Sequence, residues 1–394
     1  MSPTDPVMEP PPNMNRRAFL RFSSILLFSL LTACDSILPS LETIPPRLPT
    51  PPVGTVAAVA PTSTARPPTA TPAPSSTPSP ELPPTPTLQP ISPENIGSLS
   101  LTGQFAAGEV MDFAWLPENQ GVVLVNQNGA MTTEPDRFTP QAFLRTSSLT
   151  HFGIAPDGEH FAAVQENSRV LLGALSEGIT QTLAALPGVV TSLAFSPDST
   201  HLAVAASDAN EVVVWDTRGG VIVGNFTLPY WLSDLAIAPD NRLLAGVDLT
   251  QFSLLFIDPT TGAIQNTLQW TESASPALYG ALLSPDWRQI AWYARGTIQL
   301  MDAATGELGP ALEHEDFITT IAWSPDGALI ASAAAATIEG EFLPAVILWD
   351  VVTGEQLALL PMKSSISQLK FNPEGTLLGI LTTDGEFQTW TIKP

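Results

Sequence analysis

The stretch SLAFSPDSTHLAVAASDANEVVVWDTRGGVIVGNFTL, residues 192–228, decides the fold. It holds four apolar segments, SLAF, HLAVAAS, EVVVWDT and VIVGNFTL, rich in β-branched and aromatic residues. Pro197-Asp198, the run Asp208 to Asn210 and Gly219-Gly220 separate them. Proline presets φ for a turn and aspartate ties a turn to its own backbone, so the segments between them read as strands. Nothing between the strands is long enough for a parallel crossover, so the four form an antiparallel meander. The acids in such turns are read as structural rather than catalytic.

One such sheet cannot bury both its faces, and its neighbours in the chain repeat it. An apolar strand ending in a proline–acid turn recurs at Pro117, Pro156, Pro197, Pro239, Pro285, Pro325 and Pro373, at spacings of 39, 41, 42, 46, 40 and 48 residues. A period near 43 is that of four-stranded propeller blades, and residues 96–394 accommodate seven of them. The seventh unit ends after its third strand, EFQTWTI, two residues before Pro394. The alternating segment Ser98-Leu99-Ser100-Leu101 is expected to return as its missing outer strand and close the ring, since an open edge invites aggregation. The expected fold is all-β, a seven-bladed propeller of four-stranded blades.

These repeats resemble the WD-repeat family over essentially all of residues 96–394. The dipeptide stands at Trp215-Asp216 and Trp349-Asp350, with Trp390-Thr391 a near match, and HEDFITTIAWSPDG from His314 has the family's His-to-strand spacing. The resemblance implies a blade-stabilising network of His, Ser or Thr, Trp and Asp. No blade here has all four: blade six has His314, Ser332 and Trp349, with an insertion at 334–343.

The first quarter of the chain is a different material, holding 23 of the 40 prolines before residue 96. Residues 14–34, MNRRAFLRFSSILLFSLLTAC, place a basic stretch before a 12-residue apolar run. A membrane-spanning helix needs about 20 residues, so this is a signal-peptide core. Leu31-Thr32-Ala33-Cys34 resembles a lipoprotein lipobox, which makes Cys34 the expected lipid attachment site. Arg16, Arg17, Phe19 and Leu20 resemble a twin-arginine export signal, the alternative being general secretion. Met14 is a candidate for the true start. The expected organisation is therefore a signal peptide at 1–33, a lipidated Cys34 heading a disordered Pro/Thr/Ser-rich tether to residue 95, and the propeller at 96–394. The tether has too few large apolar side chains to build a core. The expected location is the extracytoplasmic face of a bacterial membrane.

Composition excludes several functions. One Cys and four His leave no disulfide framework and no cysteine-rich zinc site. The net charge is −23, and residues 96–394 hold 32 acids against ten Lys and Arg, which repels nucleic acid and steers a basic partner instead. There is no nucleophile elbow, phosphate loop or paired metal histidine. His151, His160, His201 and His314 are read as structural or solvated, and Glu313, Glu315, Asp316 and Glu339 lack the spacing of a calcium loop. No cofactor, metal or catalytic residue is expected. Tyr230, Trp231, Trp270, Tyr279 and Phe317 fall in loops of one propeller face or at the strand starts beside them, as anchors for a protein partner.

The leading expectation is a monomeric, membrane-anchored protein-binding or scaffolding module. A propeller enzyme of hydrolase or lactonase type, or an envelope glycan binder stacking sugars on Trp231 and Trp270, is the alternative. An enzyme requires inward-pointing polar residues near the axis; a binder requires an exposed aromatic patch.

Overall fold

A computed structural model describes residues 88–242, 244–248, 253–269 and 278–393. The export motif, Cys34 and most of the proline-rich tether lie outside these residues, as does Trp270. Among the described residues, 28 strands form seven four-stranded antiparallel sheets. Blade three has strands Val190–Phe195, His201–Ala206, Glu211–Asp216 and Val221–Thr227, paired in chain order from axis to rim. Five further blades repeat that order.

Blade seven closes the ring as expected. Its inner strands Ile366–Phe371, Leu378–Thr382 and Glu386–Ile392 come from the C-terminal end, and Leu99–Ala106 supplies the outer one. The pairing runs from Leu99 opposite Ile392 to Ala106 opposite Glu386. Ordered packing begins upstream of residue 96: Ile91 is 1% exposed against blades six and seven, and its N–H donates to Gly375 O. Residues 88–95 thus pack on the propeller, although their proline content made them read as tether.

The core is divided into seven apolar layers, one between each pair of neighbouring blades. Between blades three and four, Ala203, Val212 and Val214 meet Leu235, Ile237 and Leu244. Alternation explains this, because each strand presents successive side chains to opposite sheet faces and a propeller blade has a neighbour on both. The layer between blades seven and one is aromatic, with Phe387 packed edge-on to Phe113 at 5.0 Å and beside Trp115 at 6.0 Å.

The repeated sequence has two local consequences. At the residue two after each turn proline the backbone is left-handed, from Asn119 (φ 55°) to Gly327 and Gly158 (73° and 72°), so Gly or Asn stands at five of the seven positions. Near the start of the inner strand, hydroxyls at Thr150, Thr191, Ser233, Thr319 and Ser367 donate to second-strand carbonyls at Val164, Ala205, Val247, Ala333 and Leu381. These bonds sit where the inner register shifts in blades two, three and seven, and they hold the bulge together.

Candidate functional site

The inner strands run from the inter-blade loops toward the proline turns. A residue five positions before each proline therefore sits at the inter-blade end of the axial channel, roughly 16 Å from the turn. Those residues are Asp112, His151, Ser192, Asp234, Gly280, Thr320 and Gln368. Blade five completes the polar ring differently: a Cβ on Gly280 would lie 2.6 Å from the Tyr293 hydroxyl, so the phenol occupies the space glycine leaves. On the blade four to seven side, this ring borders a cavity of about 650 Å³ lined by Asp234, Tyr293, Thr320 and Gln368, with Leu282 and Trp323 as apolar wall.

The ring's charges are unequally matched. Lys370 reaches from blade seven to Asp112 of blade one (2.6 Å), donates to Phe113 O (2.6 Å) and lies over the Phe113 ring. Trp115 donates its indole N–H to Lys370 O at 2.9 Å, so this pair is also part of ring closure. Asp234 accepts on Oδ1 from Ser192 Oγ and from Leu235 N, both at 2.9 Å. Among the described residues no Lys, Arg or His lies within 4.0 Å of it. Burial pushes the Asp234 carboxyl above the ordinary aspartate value, against its two hydrogen bonds. Burial, and then the Asp234 charge, push the Tyr293 phenol up to about 12. Burial holds His151 below 6.5, hence neutral at pH 7.

A second polar constellation lies inside blade six. His314 Nδ1 is 3.0 Å from Leu312 O and carries the proton, which leaves Nε2 to accept from Ser332 Oγ at 2.7 Å. The Trp349 indole donates to the same Ser332 oxygen at 2.8 Å. A serine aimed at a neutral histidine looks like a nucleophile and base. Ser332 is 0% exposed and its oxygen already accepts from Trp349, so no substrate reaches it. The trio is a structural clamp, three of the four members that the WD-repeat resemblance implies. At the same positions blade three has Leu186 and Val204, packed in one apolar layer with Trp215.

The 334–343 insertion is a hairpin that lengthens the middle strands of blade six, Leu329–Ile338 and Glu341–Asp350, with Glu339-Gly340 at the bend. It projects on the inter-blade-loop side, where Glu315 accepts from Thr337 N (2.9 Å) and Oγ1 (2.7 Å), tying the preceding loop to it. Phe342 on the hairpin is 58% exposed and Phe317 on the loop 52%. Tyr230 is 39% exposed and lines a separate groove of about 420 Å³ with Ser253, Leu255 and Ile264 of blade four. Trp231 is half-buried. Tyr279 lies in the strand Leu278–Leu283, its side chain outside the described residues. Among the described anchors, Tyr230, Trp231 and Phe317 lie in inter-blade loops at separate places, with Phe342 on the hairpin tied to the loop of Phe317.

The remaining candidates have structural partners. His160 pairs with Asp157 at 2.7 Å, and His201 Nδ1 lies 2.8 Å from Thr200 Oγ1. Turn acids hold their own loops: Asp198 accepts from Ser196 Oγ and Thr200 N, and Asp258 accepts from Thr260 and Thr261, whose bonds lower its carboxyl to about 2. No group of three or more potential metal ligands occurs among the described residues. Two features escaped reading of the sequence. Phe342 was hidden in an apparent insertion, and the polar ring emerges only when the seven repeats are aligned on their turn prolines.

Comparison with known families agrees with this geometry. The family model for the WD domain, G-beta repeat, matches residues 180–216 and 308–338. The first match runs from the outer strand of blade two through Trp215-Asp216, and the second includes His314 and Ser332. Both matches fall within the seven four-stranded blades, so the likeness to the WD repeat is shown for parts of blades two, three, five and six.

Proposed function

We propose, taking a WD-repeat propeller as premise, that this chain is a membrane-anchored extracytoplasmic lipoprotein whose propeller binds or scaffolds another protein. The fold is consistent with an interaction module. The observation that carries the reading is the hairpin of blade six. It presents Phe342 beside the loop bearing Phe317, and Asp316, Glu339 and Glu341 stand within three residues of one or the other in the sequence. Exposed aromatic side chains bury much area at low entropic cost, and the acidic surround favours a basic partner. The lipid anchor rests on Leu31-Thr32-Ala33-Cys34 following the apolar run.

A channel hydrolase has the polar ring in its favour. Against it, the Ser192 hydroxyl donates to Asp234, and the Thr150 hydroxyl beside His151 donates to Val164 O, so neither hydroxyl is committed to an imidazole base. One protein tests both parts of the proposal. Full-length Cys34→Ala is expected in the soluble fraction, and retention in membranes sinks the anchor. Used as bait on native membranes, it should crosslink a partner whose recovery falls about tenfold or more in Phe317→Ala/Phe342→Ala. Equal recovery with an unchanged melting temperature removes the hairpin from the interface.

A further inference from the structure

We propose that the axial cavity is a binding site for a primary ammonium group seated on Asp234. This goes beyond the protein-binding reading, since a small amine needs neither the hairpin nor the aromatic residues. Lys370 lines the same cavity as Asp234 but its ammonium is held by Asp112 at 2.6 Å, and no cation lies within salt-bridge distance of Asp234 among the described residues. Asp234 is half-buried, and a carboxylate partly withdrawn from water without a counter-ion is costly, a cost that a bound cation relieves.

Geometry then selects the kind of cation. The Asp234 Oδ1 atom is already taken by the Ser192 hydroxyl and the Leu235 N–H. Oδ2 accepts no hydrogen bond among the described residues. A guanidinium is recognised best by two free carboxylate oxygens in a plane, and one is occupied here. An ammonium needs only one oxygen of the carboxylate and directs its other N–H bonds elsewhere. Tyr293, Thr320 and Gln368 line the same cavity from three other blades and supply neutral oxygens for them. Leu282 and Trp323 give apolar wall for an alkyl stem. A divalent metal fits less well, because the described residues hold no group of three or more His, Cys, Asp or Glu able to bind one.

Free amines and lysine side chains share this chemistry, and titration calorimetry on the full-length chain separates them. The probes are n-butylammonium, n-butylguanidinium and an Nα-acetyl-lysine amide. Saturable binding of n-butylammonium, several-fold tighter than of the guanidinium, is expected. Saturation by the lysine amide alone assigns the site to a protein side chain instead. In both cases Asp234→Asn should weaken binding about tenfold or more. Tyr293→Phe, which leaves Asp234 and its two donors in place, should weaken it several-fold. Phe342→Ala should bind the amines like the parent protein, so failure of the hairpin reading is separable from failure here. The proposal is overturned if no amine saturates, as for a merely water-filled channel, or if both channel variants bind as tightly as the parent.

Discussion

Ser332 shows how much a single oxygen can organise. It accepts from Trp349 and donates to His314, and all three belong to blade six. Ser332→Ala leaves a buried imidazole nitrogen and an indole N–H without their partner, which costs about 1–3 kcal/mol for each group so orphaned. A fall in denaturation midpoint at constant slope is the expected result, and an unchanged midpoint would show the clamp to be idle. The same site has a pH signature. Burial holds His314 below its unfolded value of 6.5, so the unfolded chain takes up the proton first. The stabilisation is fully present above pH 6.5 and is lost as pH falls through the folded value. His151 is shifted the same way by burial. Measured between neutral and mildly acidic pH, His314→Gln should flatten the dependence without abolishing it.

At the scale of the element, the proline turn is what repeats most faithfully, because its backbone leaves little choice. Proline sets the first corner, the acid fastens the loop, and the next residue must be left-handed. In blade six that residue is Gly327, at φ 73°, where an added Cβ would meet nothing within 4 Å. Gly327→Ala therefore isolates conformational strain from packing and should cost about 1–2 kcal/mol by chemical denaturation. A neutral substitution would mean that the turn relaxes. The hairpin of the same blade follows the opposite logic. Its last rungs, Thr337 opposite Phe342 and Ile338 opposite Glu341, extend beyond the buried part of the sheet and are available for display.

For the whole molecule, the seam between the last blade and the first holds the ring shut. Leu99–Ala106 pairs with Glu386–Ile392, Lys370 bridges to Asp112, and Asn372 donates to Asn119 at 2.7 Å. Deleting residues 99–106 exposes the edge of blade seven and should markedly lower the melting temperature, with a tendency to aggregate. An unchanged melting curve would mean that closure lies elsewhere. The seam was legible from the chain ends: a final blade short of one strand, and a spare alternating segment ahead of the first. Other parts were less legible. Ile91 sits among prolines and gives no periodic signal, yet it is among the most buried residues.

By itself the sequence determined the seven-fold period, the four-strand blade, the turn chemistry and the closing strand. All of these are written in local spacing, and local spacing is what backbone geometry constrains. It also held the candidate residues of the blade-six clamp and of the aromatic face, but as separate names. Only the tertiary structure decided which of them meet. Curling seven similar strands around one axis brought Asp112, Asp234, Tyr293 and Lys370 from blades far apart in sequence into one channel. There, charge balance depends on which carboxylate a single lysine reaches. That lysine reaches Asp112 and leaves Asp234 open, an outcome of three-dimensional distance that no spacing along the chain encodes.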